Sequence, residues 1–284
     1  MSEFFEFLIR GALLGVMYGL LAFPVSLLFV TTSSVDVALG AYAILAAAVM
    51  YSTGGTLGVV LAIGAAVLAS AVVGLISMRL NRPGSVDHVT AVLGTFGLST
   101  FLESFVLTLF GTNPMVRHPF DTFWDINGIR ISPQMGINVT VSAIILVSLF
   151  MVLQRTPFGR AMRASAANPV GATLNGIPVR AIWFSTYLLG GLLAGITGVL
   201  ILYTTGTDYS AAFTLTIWGF GSAIMFGLGS PLRGFAGGLI IGMVQALSAG
   251  YLPGALSTAM PLFFIFVVLS LGRMNRISAT GGRV

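Results

Sequence analysis

The chain has 284 residues, of which 56% are hydrophobic and only 7% are charged, and its mean hydropathy is +1.00. Soluble domains carry about 25% charged residues, so this composition excludes a water-covered globular protein and indicates a polytopic membrane protein. The net charge of +5 comes entirely from arginine, since the sequence contains no lysine. In a membrane protein such basicity reports orientation in the bilayer, and we expect no nucleic-acid partner.

Two missing residue types exclude several kinds of chemistry. Without cysteine there are no disulfides, thiolate nucleophiles or cysteine metal sites. Without lysine there is no Walker A loop, so the chain is not a conventional ATPase by itself. The two histidines, His88 and His118, fall in predicted loops and lack the paired spacing of metal ligands. We therefore expect no enzyme activity, no metal and no cofactor, and an energy source outside this chain.

Hydropathy predicts nine apolar segments of about the length that crosses a bilayer core of roughly 30 Å. The expected fold is an all-α integral membrane protein, a polytopic bundle of about 8–9 transmembrane or half-spanning helices in a single domain over residues 1–284. Gly and Pro interrupt the second segment and the last two, so re-entrant pieces are an alternative there. The predicted spans are 7–30, 36–52, 56–78, 89–110, 137–154, 181–203, 213–230, 234–252 and 254–272.

Charge in the connecting segments predicts the orientation. Arginines follow the third, fifth, seventh and last spans, so these segments and the C-terminus are expected on the cytoplasmic side. The loop 111–136 contains acids as well as arginines and is expected outside, in the periplasm. Nine full spans would place the N-terminus outside, and one re-entrant span would reverse this, so that side stays open. Glu3 and Glu6 precede the first arginine, which does not fit a signal peptide, so we expect residues from 1 onward in the mature chain.

Two spans carry small residues at every fourth position, a spacing that places them on one helix face. Small side chains let helices approach closely in lipid. We expect these rows to pack within the subunit, with a seam between subunits as the alternative. The rows are Gly58, Ala62, Ala66, Ser70 and Gly74 in the third span, and Gly234, Gly238, Gly242, Ala246 and Gly250 in the eighth.

Two acids fall inside or beside predicted spans, where an ionised carboxylate costs about 2.5–3.5 kcal/mol. Glu103 shares a helix face with Thr95 and Ser99, and this polar stripe fits either a structural contact or a solute pathway. Asp36 follows the polar run 31–34, which resembles a broken backbone that starts a helix. A helix cap is one interpretation of Asp36. The other is a transporter site, because broken helices point backbone dipoles at a solute.

The segment 155–180 contains four arginines and no acid between two apolar spans. Its residues Gly159–Ala164 have spacing compatible with a helix, and Asn168 and Gly176 punctuate the rest of the segment. This pattern predicts a short surface helix that docks a partner on the cytoplasmic side.

These stretches resemble the permease subunits of branched-chain amino acid ABC importers, the LivH-type family, over most of the chain. The family's G-R-A-x-R-A, A-x-x-x-G-I and A-G-x-x-G-x-L segments match Gly159–Ala164, Ala172–Ile177 and Ala194–Leu200. Two further stretches are similar, LGTFGLSTFLESFVLTLFG and the glycine-rich 226–242. The resemblance implies a coupling helix seated on an ATPase, with Gly159, Arg160, Arg163, Ala164, Asn168 and Gly176 in that segment.

The sequence departs from the family at two places. The family's I-N-F-A-H-G segment is Val35–Gly40 here, with Asp36 in place of Asn and Leu39 in place of His. The position of Glu103 often holds an amide in relatives. The extra negative charge leaves open a solute other than leucine, isoleucine or valine. The expected translocation path comprises Asp36, Gly40, Thr95, Ser99 and Glu103.

The resemblance also implies partners for this chain. We expect a second permease subunit, either a related chain or a copy of this one, together with cytosolic ATP-binding subunits, a periplasmic solute-binding protein and a small-molecule solute. The expected location is the bacterial inner membrane. The main alternative is a stand-alone secondary transporter or channel, which would have no use for the basic segment 155–180. An intramembrane enzyme would need a nucleophile–base pair or metal ligands that the sequence does not offer.

Overall fold

The computed structural model describes residues 2–80, 88–117, 120, 122, 124–126 and 129–280. Every predicted span appears in it as a helix, and the basic segment supplies two short helices more. One small antiparallel hairpin precedes the fifth long helix. The elements are α1 Ser2–Thr32, α2 Leu39–Thr53, α3 Gly55–Leu80, α4 His88–Phe110, β1 Trp124–Ile126, β2 Ile129–Ile131, α5 Pro133–Arg155, α6 Pro157–Ala167, α7 Pro169–Leu174, α8 Val179–Leu202, α9 Ala211–Met225, α10 Pro231–Tyr251 and α11 Gly254–Thr280.

Six of the described helices, α1, α3, α4, α5, α8 and α10, are long and apolar enough to cross a membrane. The second predicted span, α2, has only 15 residues, as does α9. At 1.5 Å per residue each is about 22 Å long, which is short of the roughly 30 Å core. The chain is a multi-pass membrane protein with at least two half-spanning helices among the described residues.

The boundaries of two spans differ from the prediction. The predicted span 213–230 ends as a helix at Met225, because Gly227 adopts a φ of +87° and breaks the helix before Pro231. The eighth predicted span, for which a re-entrant piece is the alternative, is an unbroken helix of 21 residues. Its glycines pack against another helix, and this contact offsets their low helix propensity.

The α1–α10 pair forms the most extensive helix contact in the bundle. The two helices run antiparallel, with Gly11 beside Ala246 and Gly19 beside Phe235. A Cβ on Gly15 would lie 2.6 Å from the carbonyl oxygen of Gly238, so the backbones touch directly. The small-residue row of α10 therefore packs inside this chain, against a glycine row on α1 that the sequence analysis did not single out. Its member Gly250 is exposed but still faces Phe7 of α1.

The small-residue row of α3 is also internal. A Cβ on Gly195 would lie 2.9 Å from the Cβ of Ala66, and one on Gly74 would lie 3.1 Å from the Cβ of Tyr187. Ser70 faces Gly191 between these two contacts. Both predicted rows thus pack within the subunit, and the alternative of a seam between subunits is wrong for these residues, since each row already meets a partner helix.

The helix ends define two faces. Met162 of α6 packs against Phe23 and Leu27, in the C-terminal half of α1. With 31 residues α1 is about 46 Å long, so its N-terminus lies on the face opposite α6. At that opposite face the backbone N–H of Met115 donates to the carbonyl of Thr207 at 2.8 Å, which joins the segment after α4 to the α8–α9 connection.

The helix α5 connects these two faces. Its C-terminal end leads into α6. Near its other end, the buried Asn138 donates from Nδ2 to the Thr204 hydroxyl at 2.7 Å, and it accepts from the Gln134 amide at 2.9 Å. Thr204 begins the connection to α9. The helix α5 is thus joined to α6 at one face and to the α8–α9 connection at the other.

Gly242→Val should destabilise the bundle, because its side chain would enter the backbone of α1 at Gly15 and Gly11. Overpacking of this kind costs about 1–3 kcal/mol. The measurement is the temperature at which the detergent-extracted protein loses its monodisperse elution peak. Gly64→Val is the matched control, because a Cβ on Gly64 meets nothing within 4 Å. Equal melting temperatures for the two variants would contradict the close α1–α10 contact.

Candidate functional site

The centre of the bundle contains a break between α1 and α2. The chain leaves α1 after Thr32, reverses through Ser33, which has a φ of +53°, and enters α2 at Leu39. An irregular segment inside a membrane bundle must have its backbone polar groups bonded by protein, since lipid offers no partners.

Side chains from three places bond the backbone N–H groups of this break. The hydroxyl of Thr95 on α4 accepts from the N–H of Val37 at 3.2 Å. The carboxylate of Asp36 accepts from the N–H of Ala38 at 2.8 Å. The hydroxyl of Thr216 on α9 accepts from the N–H of Gly40 at 3.0 Å. The break is thereby held by α4, α9 and its own acid.

The preceding end of α1 is held in the same way. The indole Nε1 of Trp183 on α8 donates to the carbonyl oxygen of Thr31 at 2.9 Å. The hydroxyls of Ser34 and Tyr187 lie 3.2 Å apart in hydrogen-bond contact, and Ser34 also contacts Thr32 at 2.7 Å. All of these side chains are buried. The carbonyl freed at the end of α1 therefore has a donor on a neighbouring helix.

Asp36 bonds the N–H of Ala38, the N-cap residue of α2, which makes no side-chain capping bond of its own. Its side chain is 2% exposed, and its second carboxylate oxygen accepts from the hydroxyl of Tyr42, one turn into α2. The positive end of the α2 dipole and two hydrogen bonds offset the free-energy cost of burying this carboxylate. Because the carboxylate is enclosed, a solute reaches it only if the break moves.

Glu103, on α4, lies beside the start of the other short helix. Its carboxylate accepts a hydrogen bond from the backbone N–H of Phe213, in the first turn of α9. The N-cap residue Ser210 makes no side-chain capping bond, so Glu103 bonds a donor that α9 itself leaves unpaired. Glu103 is partly exposed, whereas Asp36 is enclosed.

The predicted polar stripe of α4 therefore faces the two short helices. Thr95 bonds the break, the buried Ser99 follows one turn later, and Glu103 reaches the start of α9. Gly40 completes the group, since a Cβ there would lie 2.7 Å from the Thr216 hydroxyl. The structure thus brings the five predicted path residues around the adjacent first turns of α2 and α9.

An apolar cavity of about 560 Å³ opens beside this group. Val35 and Val37 of the break form its base, and Phe213 and Thr216 of α9 line one wall. Residues of α4 and α11 line the rest. Thr216 and Gly221 are the only lining residues of this cavity, among those described, that are not large and apolar.

Sequence reasoning missed Thr216, Tyr42, Trp183 and Tyr187 in this site. The available signal was weak, because each is a single polar or amphipathic residue in an otherwise apolar span. Such a residue bonds its own helix as often as another element. Only the tertiary structure shows that these four residues serve the break.

Thr216→Val should lower stability, because it leaves the buried N–H of Gly40 without an acceptor at nearly unchanged side-chain volume. An unpaired buried donor costs about 1–3 kcal/mol. The melting temperature of the purified protein measures the effect. Thr100→Val is the control, since the exposed Thr100 hydroxyl bonds only the carbonyl of Phe96 in its own helix. A Thr216→Val protein as stable as that control would contradict the assigned role of the hydroxyl.

The second candidate site is the predicted docking segment. Thr156 caps α6 by accepting from the N–H of Gly159 at 3.2 Å, with Pro157 in the first turn. Asn168 ends α6 and caps α7, accepting from the N–H of Gly171 at 2.9 Å. Gly176, with a φ of +79°, follows the end of α7. The segment 155–180 is thus two short capped helices on one face of the bundle.

Gly159 and Arg163 both attach α6 to the end of α5. They lie one turn apart on the face of α6 that meets the end of α5. A Cβ on Gly159 would lie 2.6 Å from the Cα of Leu153, and the guanidinium of Arg163 donates to the Leu153 carbonyl. That carbonyl belongs to the last turn of α5, where oxygens lack helical donors and cations are favoured.

Arg160 lies on the outward side of α6. It is exposed, and its guanidinium makes no hydrogen bond or ion pair with any described residue. Met162 and Ser165 are buried, and Ala164 is partly buried. The two predicted arginines therefore differ, because Arg163 bonds α5 whereas Arg160 is available to meet another subunit.

A family model described as the permease component of branched-chain amino acid transport systems matches residues 7–271. The chain belongs to this family. The match covers nearly the whole sequence and confirms the resemblance seen in the motifs. The protein is a transport permease component and not a catalytic enzyme.

Curated relatives agree with this assignment. The chain is 26% identical to the high-affinity branched-chain amino acid transport system permease protein LivH of Escherichia coli, over 94% of this chain and 92% of the relative. It is 27% identical to a probable LivH of Methanocaldococcus jannaschii, over 84% and 79%. It is also 26% identical to the ribose import permease protein RbsC of Escherichia coli, over 81% and 71%.

A solved structure, PsaBC from Streptococcus pneumoniae in complex with Fab, has a similar fold. The TM-score is 0.57, and the alignment covers 95% of this chain and 94% of the other. The sequence identity is 16%, so this likeness concerns the fold alone.

Proposed function

We propose that this chain is the membrane subunit of a bacterial ABC importer that takes up branched-chain amino acids or related small solutes. In this proposal residues 1–284 form one transmembrane permease domain, and a separate cytosolic ATP-binding subunit supplies the energy. Membership of the permease family supports the transport function. The absence of lysine supports the external energy source, because a Walker A loop requires it.

The observation that carries this proposal is the geometry of α6. The helix is fixed to the end of α5 by Gly159 and Arg163, while the guanidinium of Arg160 projects outward without a partner among the described residues. A docking helix needs both properties, a rigid seat and a free recognition group. Asn168 and Gly176 shape the segment that returns to α8.

The basic character of this segment orients the protein, with α6 and α7 in the cytoplasm. The N-terminus then lies in the periplasm, as does the loop after α4, within the predicted 111–136. The helix α10 begins at the α6 face, and α11 returns to it, so the C-terminus is cytoplasmic. A periplasmic solute-binding protein would dock on the outer face.

The path proposal rests on the two short helices. Their first turns meet beside the cavity, and Asp36, Gly40, Thr95, Ser99 and Glu103 surround them. Half-helices with bonded polar ends inside a membrane are typical of solute sites in transporters. The same geometry serves a structural cap and a contact with the solute. Because Asp36 is enclosed, the proposal includes a movement of the break that opens this acid to the solute.

Transport further requires a second permease subunit, either a related chain or a copy of this one. One docking segment serves one ATP-binding subunit, and two such subunits hydrolyse ATP as a pair in systems of this type. Reconstituted vesicles that contain this chain alone should therefore show no uptake.

Arg160→Glu should leave membrane insertion intact and lower solute uptake at least tenfold, because the reversed charge meets acids expected on the ATP-binding subunit. Arg160→Lys should be partly active, since lysine keeps the charge but loses the bidentate geometry. ATP-driven uptake into proteoliposomes is the measurement. Arg79→Glu, on the exposed last turn of α3 at the same face, is the control. Normal uptake by Arg160→Glu would refute the docking role.

Glu103→Gln should change the solute preference or the uptake rate several-fold without loss of the assembled complex. The amide oxygen can still accept from the N–H of Phe213, while the negative charge at the path is gone. Competition between amino acids in the uptake assay measures the preference. Glu103→Leu removes the acceptor as well and separates the two roles. If Glu103→Gln fails to assemble, the residue is structural and does not belong to the path.

A further inference from the structure

The outer surface of α5 carries a groove that the transport function does not use. It consists of two contiguous cavities of about 310 and 640 Å³, which share Phe150 and Leu232. The smaller cavity extends inward to Phe23 and Leu27 of α1 and to Met162 of α6. The larger one runs along α5 over Leu146, Val147 and Met151. The walls are mainly apolar, with Thr31, Ser230 and Thr156 as uncharged hydroxyl residues among them.

The groove has one basic end. Arg155 lines the larger cavity, and Arg163 and Gln154 line the smaller one. Arg155 is exposed, and its guanidinium makes no hydrogen bond or ion pair with the described part of the chain. Arg163 uses one donor on the Leu153 carbonyl and retains the others of its guanidinium. No described acid lines either cavity.

The length of the groove matches one leaflet of a bilayer. From Leu146 to Arg155 the helix rises nine residues, or about 14 Å. Half of a hydrocarbon core of roughly 30 Å is about 15 Å. The apolar part of the groove therefore spans the depth of a single leaflet, and its arginines lie where phosphate groups begin.

We propose that this groove binds an anionic phospholipid of the cytoplasmic leaflet. An acyl chain lies along Val147 and Phe150, and the phosphate contacts Arg155 and Arg163. Basic pockets between helices at this depth attract anionic headgroups. The assignment rests on the proposed function only for naming the leaflet as cytoplasmic.

The location gives the lipid a regulatory position. Met162 and Arg163 belong to α6, so a bound lipid contacts the docking helix, the end of α5 and the start of α10 together. It would stabilise the arrangement of these three elements. Membrane composition would then influence how firmly α6 is held.

The test is lipid retention by the complex extracted in mild detergent, measured by native mass spectrometry after exchange with phosphatidylglycerol or phosphatidylcholine. The wild type should retain phosphatidylglycerol preferentially. Arg155→Gln should lower that retention about fivefold, the factor one basic residue contributes at an anionic surface. Arg79→Gln, which removes the same charge outside both cavities, should not change it. Equal retention of the two lipids, or no effect of Arg155→Gln, would overturn the proposal.

A second variant tests the apolar part. Val147→Trp places an indole in the larger cavity and should reduce retained phosphatidylglycerol while the subunits remain together. If the groove instead receives the second permease subunit, Val147→Trp would dissociate the permease pair and leave lipid retention unchanged, which refutes a lipid occupant. Neither measurement uses ATP or solute, so the lipid result can be interpreted even when the importer proposal fails.

Discussion

The fold depends on one constraint, that a backbone group inside lipid must find its partner in the protein. The break between α1 and α2 concentrates this constraint, since Val37, Ala38 and Gly40 have N–H groups outside any helix ladder. Three acceptors from α4, α9 and the break itself meet them. The same three bonds bring α4 and α9 to the start of α2. The hydrogen bonds that satisfy the backbone of the break are therefore the same ones that assemble the candidate path.

The glycine contacts provide the rigid frame around this break. At the α1–α10 and α3–α8 pairs, backbone meets backbone, and side chains have little room to rearrange. The α2–α9 pair also makes a close backbone contact, since a Cβ on Gly40 would meet the carbonyl oxygen of Ala212. It adds hydrogen bonds through the Thr216 hydroxyl, which accepts from the N–H of Gly40 and donates to the carbonyl oxygen of Val37. The start of α2 is therefore held by both kinds of contact.

Much of the fold could be predicted from the sequence. Hydropathy located the helices of the bundle, because long apolar runs have few alternatives to entering a bilayer. It did not show that α9, predicted as a span over 213–230, has only 15 residues and is too short to cross. Arg160 and Gly159 stood out because a basic, glycine-containing island between spans is unusual. The second span was correctly suspected of being short, since Leu39–Thr53 is flanked by polar residues and glycines.

Other features could not be read from the sequence, for physical reasons. A small-residue row looks the same whether it meets its own chain or another subunit, so the positions of Ala66 and Gly242 needed the structure. Arg160 and Arg163 are chemically identical, and only the Leu153 carbonyl distinguishes their roles. The hydrogen bond from Phe213 to Glu103 joins residues far apart in the chain, and no periodicity indicates it.

Family membership by itself does not distinguish between solutes. Relatives at comparable identity include permeases named for branched-chain amino acids and one named for ribose. If the proposed path is correct, the side chains around the α2–α9 turns would distinguish between such solutes. Asp36 and Glu103 are the described residues there whose charge a solute would sense.

The attachment of α6 to α5 has a mechanical consequence. Gly159 leaves no side chain to compress between the helices, and Arg163 bonds the terminal carbonyl, so α6 cannot tilt without taking the end of α5 with it. About 22 Å away along the same helix, Asn138 is bonded to Thr204, which leads into α9. The helix α5 thus links the two faces of the bundle, and a displacement of α6 would be carried along it to the segment that leads into α9.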